Sequence, residues 1–340
     1  MSSSATTGAA AWPSVYRDNI VIDGLMVAQP SGRLAKTLVE AGISACNWTV
    51  TSHREDTNVA LIKIAQFYWL FEQRPDVALL VEKAADIERA HGERKLGVIL
   101  GFQGTGPLGY NVNLARIFQK LGVRIIQFSY NESSPFAAGC CEPGDGSLPS
   151  LGVQLVQEMN RLGMVIDLSH VGRRSSLEAM ELSSHPVIFS HSNPAALQPN
   201  PRNLTDEQIR ACAANGGVIG LSTFSAFVGD TREGRHPSLN DLFKQIDYVL
   251  DMVGDDHIGI GTDIFADPTD GIWWRAVTGR LYPDVSQGMS YDTHNIQGFM
   301  HQSDFPSAAQ AMLDHGYSTE TVRKIVGANW LRVYRQVWGG

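Results

Sequence analysis

Apolar residues gather along this chain in short, nearly unbroken runs that stop at Gly, Asp, Asn or Ser. Eight such runs recur: NIVIDG (19–24), ISACNWTV (43–50), KLGVILGFQG (95–104), VRIIQFSYN (123–131), MVIDLSH (164–170), PVIFSHSN (186–193), GGVIGLSTF (216–224) and HIGIGTD (257–263). Strands covered on both faces read this way, whereas half-exposed strands would alternate. Between the runs lie segments with helical spacing, among them SGRLAKTLVEAG, TNVALIKIAQFYWLFEQ, LPSLGVQLVQEMNRLG and SLNDLFKQIDYVLDMVG. Gly122, Gly163, Gly216 and Gly254 fall where a helix should stop before the next strand, and Thr205 with Asp206 is placed to start one.

Eight apolar strands alternating with helices specify parallel βα units. A closed ring of eight explains the count better than a doubly wound sheet, because the first run continues as Asp23-Gly24-Leu25-Met26 with no Gly-rich phosphate loop. The pattern therefore predicts an α/β protein: a (β/α)8 TIM barrel forming one domain over residues 16–340, with a C-terminal helical extension. That extension follows a long loop (264–303) carrying Trp273, Trp274, Arg275, Tyr282 and Tyr291, expected to act as a lid or a contact between copies, the alternative being aromatic area that stacks on an apolar or planar substrate. In its last helix, Ser318 supplies a cap and Ile325, Trp330, Leu331 and Val333 an apolar face that packs on the barrel.

Composition narrows the classes. A formal net charge of −8 without a Lys/Arg stripe argues against nucleic acid and against an anionic membrane surface as partner, leaving a small-molecule substrate. Residues 1–15 read as a flexible Ser/Thr/Ala-rich tail rather than a signal peptide, and no run is long enough to span a bilayer. The four cysteines include the adjacent pair Cys140-Cys141, a poor start for a disulfide framework or a zinc loop, so a reducing cytoplasm is the expected location.

Barrel active sites are built where strands end. The polar residues there are Asp23, Gln103, Tyr130 with Glu132, Asp167 with His170, Ser190 with His191, and Asp263. His170 and His191 end successive strands and would face one mouth, where neutral imidazoles suit a divalent metal such as zinc; Asp263 could serve as a further ligand or as a general base. Asp167 reads as a loop support. Arg202, just ahead of a helix cap, is either a solvated charge or a clamp for an anionic group.

At these residues the chain resembles the membrane (renal) dipeptidase family, peptidase family M19, within the amidohydrolase-like barrels. The resemblance rests on VIDG, GVR, EMNRLGMVIDLSHVG, PVIFSHSN, PRNLTDEQI, IGIGTD and GYSTETVRKIVGANWLRVYRQV, spread over nearly the whole chain. It implies a two-metal hydrolase, commonly a homodimer, in which His170 and His191 bind metal, Arg202 binds substrate and Asp263 moves protons. It also implies ligands that this chain lacks. Leu25 and Val27 stand where the family has a His-x-Asp pair, Gln103 replaces a bridging glutamate and Tyr130 replaces a histidine. Leu and Val offer no lone pair, and an amide oxygen is an uncharged, weak substitute.

A two-metal centre is therefore not expected. The leading expectation is a dipeptidase-like metallohydrolase with one divalent metal, zinc, held by His170 and His191 with weak help from Gln103, or from Asp263 or Glu132. Arg202 and Tyr130 would hold a small carboxylate-bearing amide while Asp263 acts as acid and base. The alternatives are a metal-free or one-metal lyase or isomerase, and a pseudoenzyme that only binds.

Overall fold

The computed structural model describes residues 12–52, 54–265, 272, 276, 279–289 and 291–339. The parallel ring forms as the apolar runs predict. Its strands are β1 (Ile22–Val27), β2 (Ala45–Thr51), β3 (Ala78–Leu80), β4 (Leu96–Phe102), β5 (Val123–Gln127), β6 (Val165–Asp167), β7 (Ile188–Phe189), β8 (Val218–Leu221), β9 (Ile258–Ile260) and β10 (Ile264–Phe265). They pair in the order β10-β1-β2-β4-β5-β6-β7-β8-β9, with β3 added beside β4.

Closure comes from one stretch of chain. β9 pairs with β8 and, after Gly261–Asp263, β10 pairs with β1 through Met26↔Ile264. Between them Thr262 donates its backbone N–H to Asp23 Oδ1 at 2.8 Å, and Asp263 N–H donates to Leu25 O at 3.1 Å. The barrel thus has the eight expected positions, the eighth split in two. The extra strand β3 and the helix Ala84–Glu93 lie between the second and third apolar runs. Three residues of strand are too few to carry a periodic signal.

The C-terminal segment does more than pack on the outside. Trp330, Leu331, Val333, Tyr334 and Val337 share one buried cluster with Ile22, Ala45, Ile99, Ile125, Val165, Ile188 and Val218, the residues near the strand starts. The helix Asn329–Trp338 therefore plugs the end of the barrel opposite the site. Glycines make the room: a Cβ on Gly24 or Gly259 would lie 2.4 Å from the Trp330 ring, and one on Gly220 2.8 Å from it. The helix Thr319–Arg323 leads into it through a π-helical turn at Lys324–Ala328. Ser318 Oγ caps it by accepting Thr321 N–H at 3.0 Å, and Thr205 Oγ1 accepts Gln208 N–H at 3.3 Å, as the cap residues predict.

At the other terminus Ser14–Arg17 form a short helix with Val15 and Tyr16 buried, so packing extends a little ahead of position 16. Among the described residues no helix is long and apolar enough to cross a membrane. Trp273, Trp274 and Arg275 lie outside the described residues.

Because Trp330 is fully buried against three glycines, Trp330→Ala should leave a large void and lower stability by about 3–5 kcal/mol. Urea denaturation checks this; a midpoint unchanged from wild type would show that the plug does not support the barrel.

Candidate active site

Strands β6 and β7 end within one residue-pair of each other, Asp167 aligning with Ile188, so the residues that follow meet at the mouth. Asp167 is buried and works as an anchor. Its Oδ1 accepts the backbone N–H of Ser169 at 2.9 Å and of Ser190 at 3.1 Å, and its Oδ2 accepts Ser190 Oγ–H at 2.5 Å. Burial raises this carboxyl above its ordinary range, and those hydrogen bonds pull it back. The sequence reading of Asp167 as a support matches this geometry.

The anchor orients the histidines. Ser190 Oγ, having given its proton to Asp167, is an acceptor for His191 Nδ1 at 2.7 Å. His191 Nε2 in turn lies 2.9 Å from His170 Nε2, and His170 Nδ1 lies 2.8 Å from Asn131 Oδ1. The acceptors behind each Nδ1 favour the proton there; with both rings in that form the two Nε2 lone pairs would face each other, and a cation between them, a proton or a metal ion, would make the arrangement favourable. Burial first, then the charge of Arg202, hold His191 well below the ordinary histidine range, which disfavours the proton on that ring.

Two imidazole nitrogens bound to one zinc ion at roughly 2.0–2.1 Å stand roughly 3.3 Å apart. The pair therefore fits a metal ion after a small opening of the rings. Among the described residues no set of three or more His, Cys, Asp or Glu side chains converges in this way. Leu25 is buried and Val27 half-buried on β1, and neither side chain carries an atom that could bind a metal ion.

Of the remaining predicted residues, Tyr130 and Arg202 touch the pair, whereas Gln103 and Glu132 bond elsewhere. Tyr130 stacks on His170 with ring centroids 3.9 Å apart and planes at 23°, covering one face of the imidazole. Arg202 is buried; its Nη2–H donates to His191 O at 3.0 Å, its guanidinium lies 5.2 Å from the Phe227 ring, and its Nε has no partner among the described residues. Gln103 donates from Nε2 to Thr49 Oγ1 at 3.1 Å. Glu132 is engaged by Arg54 Nη2 at 2.5 Å and by the hydroxyl of Tyr282 from the long loop. A pocket of about 420 Å³ opens beside His170 and Arg202, bounded also by Cys140, Arg173 and Asn203.

Asp263 stands apart from the histidines in its electrostatics. Burial pushes its carboxyl from 3.8 up to about 7, with Arg202 easing the rise and Asp23 adding to it. Both His170 (φ 65°) and Asp263 (φ 56°) adopt the left-handed backbone region, which is uncommon outside glycine and here re-aims a side chain just past a strand. Asn131 was absent from the sequence-based set, although it follows Tyr130 at the same strand end.

A model of the family described as "Membrane dipeptidase (Peptidase family M19)" matches residues 28–272. Dipeptidase tcpJ of Claviceps purpurea is 30% identical over 270 residues, which is 79% of this chain and 56% of that one; this chain thus spans little more than half that relative's length. A protein of Klebsiella pneumoniae described as an uncharacterized protein in the pqqA 5' region is 30% identical over 262 residues, 75% of this chain and 87% of that one. Among solved structures, an amidohydrolase from Pseudomonas aeruginosa superimposes with a TM-score of 0.88 at 33% identity, covering 98% of this chain and 100% of that one. A metallo peptidase from Rhodobacter sphaeroides, liganded with a phosphinate mimic of the dipeptide L-Ala-D-Ala, shares the fold at a TM-score of 0.78 and 20% identity, over 94% and 99% of the two chains.

The raised carboxyl of Asp263 has a consequence for stability. The native state holds this proton more tightly than the unfolded chain, so the group's contribution is complete below the ordinary Asp range and is lost as pH climbs toward 7. Asp263→Asn removes that loss. Relative to wild type the variant should gain on the order of 2–4 kcal/mol at pH 8 and almost nothing at pH 4, measured by denaturant unfolding. An equal difference at both pH values would contradict the assignment.

Proposed function

Because the chain belongs to the membrane dipeptidase family, peptidase family M19, we propose that it is a metallohydrolase with an altered, one-metal site. It would cleave the amide bond of a small, carboxylate-bearing, dipeptide-like compound. The observation that carries this reading is the pair of histidines whose Nε2 atoms converge to 2.9 Å while Asn131 and Ser190 stand behind their Nδ1 atoms. His170 and His191 would hold one divalent ion, zinc being the ion that imidazole pairs commonly take. Such an ion supplies Lewis acidity, polarising the amide carbonyl and making water a better nucleophile.

The protein's own groups account for the remaining steps. Asp263 carries a carboxyl poised near neutrality, so it can take a proton from the attacking water and return it to the leaving amine nitrogen. Arg202 keeps a guanidinium at the wall of the pocket with Nε uncommitted among the described residues, suited to a substrate carboxylate. Tyr130 shields one face of His170 from water. Leu25 and Val27 offer a second ion no lone pair, so Gln103 would have no pair of metals to bridge; it is a weak, neutral donor whose amide nitrogen bonds Thr49.

The assay is a panel of dipeptides with L- and D-configured C-terminal residues, run on protein stripped of metal and on protein resupplied with zinc. Hydrolysis that depends on zinc and is lost in both His170→Ala and His191→Ala is the expected result. Turnover that survives exhaustive chelation, or persists in both variants, would overturn the metal reading in favour of acid-base chemistry by Asp263 alone.

Association of two copies belongs to the same proposal, and so does a cytoplasmic location, which suits the four free cysteines. The helix Thr57–Gln73 supports pairing: besides its buried side it exposes Leu61, Ile62, Tyr68 and Trp69, the last by 63%. Sedimentation should give a dimer that Trp69→Glu dissociates; a wild-type monomer at micromolar concentration would refute it.

A further inference from the structure

Asn131 is uncharged, absent from the sequence-based site, and 1% exposed. Its Oδ1 lies 2.8 Å from His170 Nδ1 and accepts a weak hydrogen bond from Cys140 Sγ at 3.7 Å. The loop beyond it folds back to hold it. Cys141 N–H donates to Asn131 O at 3.0 Å, and Cys140 N–H donates to His170 O at 2.8 Å, so the amide and the histidine are tied to the same two cysteines. A glycine permits that closure, because a Cβ on Gly139 would lie 2.3 Å from Asn131 O.

We propose that Asn131 is a positioning residue which keeps the proton of His170 on Nδ1 and thereby keeps the histidine pair open to a cation. The proposal rests on the reading of that pair as a metal site. A neutral imidazole left to itself favours the proton on Nε2. At His170 that proton would point at His191 Nε2, 2.9 Å away, and form an N–H···N hydrogen bond in the very place the ion must occupy. The site would be locked by its own ligands.

Asn131 opposes this locked state. An amide oxygen at 2.8 Å rewards a proton on Nδ1 and would face a lone pair, unfavourably, if the proton moved to Nε2. On the His191 side the chain Asp167–Ser190 has the same effect, because Ser190 Oγ–H is committed to Asp167 and only accepts from His191 Nδ1. The two histidines are thus primed from opposite sides, one by an amide and one by a hydroxyl that a carboxylate orients.

The test begins without metal. Long-range proton–nitrogen correlation spectra of the metal-free protein, with ¹⁵N in its histidines, report which ring nitrogen of His170 carries a proton. Wild type should show a protonated Nδ1; Asn131→Ala should show a bare Nδ1 with the proton on Nε2; Asn131→Asp, which keeps an acceptor, should restore the wild-type pattern. In parallel, zinc affinity measured by competition with a chromophoric chelator should fall roughly 10–100-fold in Asn131→Ala and recover in Asn131→Asp. A bare Nδ1 in wild-type protein, or an Asn131→Ala variant with unchanged ring protonation and affinity, would overturn the proposal. A tautomer shift in a protein that binds no zinc at all would uphold the role of Asn131 and refute the metal reading on which the proposed function stands.

Discussion

Two imidazole Nε2 atoms 2.9 Å apart form the contact on which the rest of the site depends. The structure around it is organised to hold it. Asp167 is buried at the end of β6, gathers three hydrogen bonds and fixes Ser190; Ser190 fixes His191; Asn131 fixes His170 from the far side. The left-handed backbone at His170 is part of the same arrangement, since strain is tolerated where the surroundings over-determine it. A polar device of this kind would be costly in a barrel that merely needed to fold, because apolar residues would fill the space at less expense of desolvation.

The barrel supplies the rigidity this requires. At one end Trp330, with Tyr334 stacked beside it, fills the ring against glycines on three strands, so the strands cannot collapse inward. At the other end Thr262 and Asp263 close the ring against Asp23 and Leu25, which places the Asp263 carboxyl on the seam between the first and last strands. Closure and chemistry therefore share residues: the Asp23 that receives Thr262 N–H also raises the Asp263 carboxyl.

Much of this was legible in the sequence. Eight apolar runs stopped by polar residues are enough to specify a parallel ring, because only double-sided burial produces them. His170 and His191 were legible because each directly follows a strand whose neighbour is known from chain order. Asn131 was not, since an asparagine after a strand ordinarily reads as a turn former and its partner is 39 residues away. The plugging role of Trp330 was hidden for a related reason: helical periodicity says which face is apolar but not which opening that face enters. The replacements at Leu25, Val27 and Gln103 were plain from sequence, and their physical meaning is simple, as Leu and Val offer a metal ion no lone pair and Gln only an uncharged amide oxygen.

The proposed chemistry depends on a single ion held by His170 and His191. X-ray absorption at the zinc edge of protein loaded to saturation measures that environment directly. The predicted spectrum shows two histidine ligands per zinc, light-atom oxygen or nitrogen ligands for the remainder, and no metal–metal scattering. A metal–metal distance of about 3.5–4 Å, as in two-metal hydrolases, or a first shell without histidine, would contradict it.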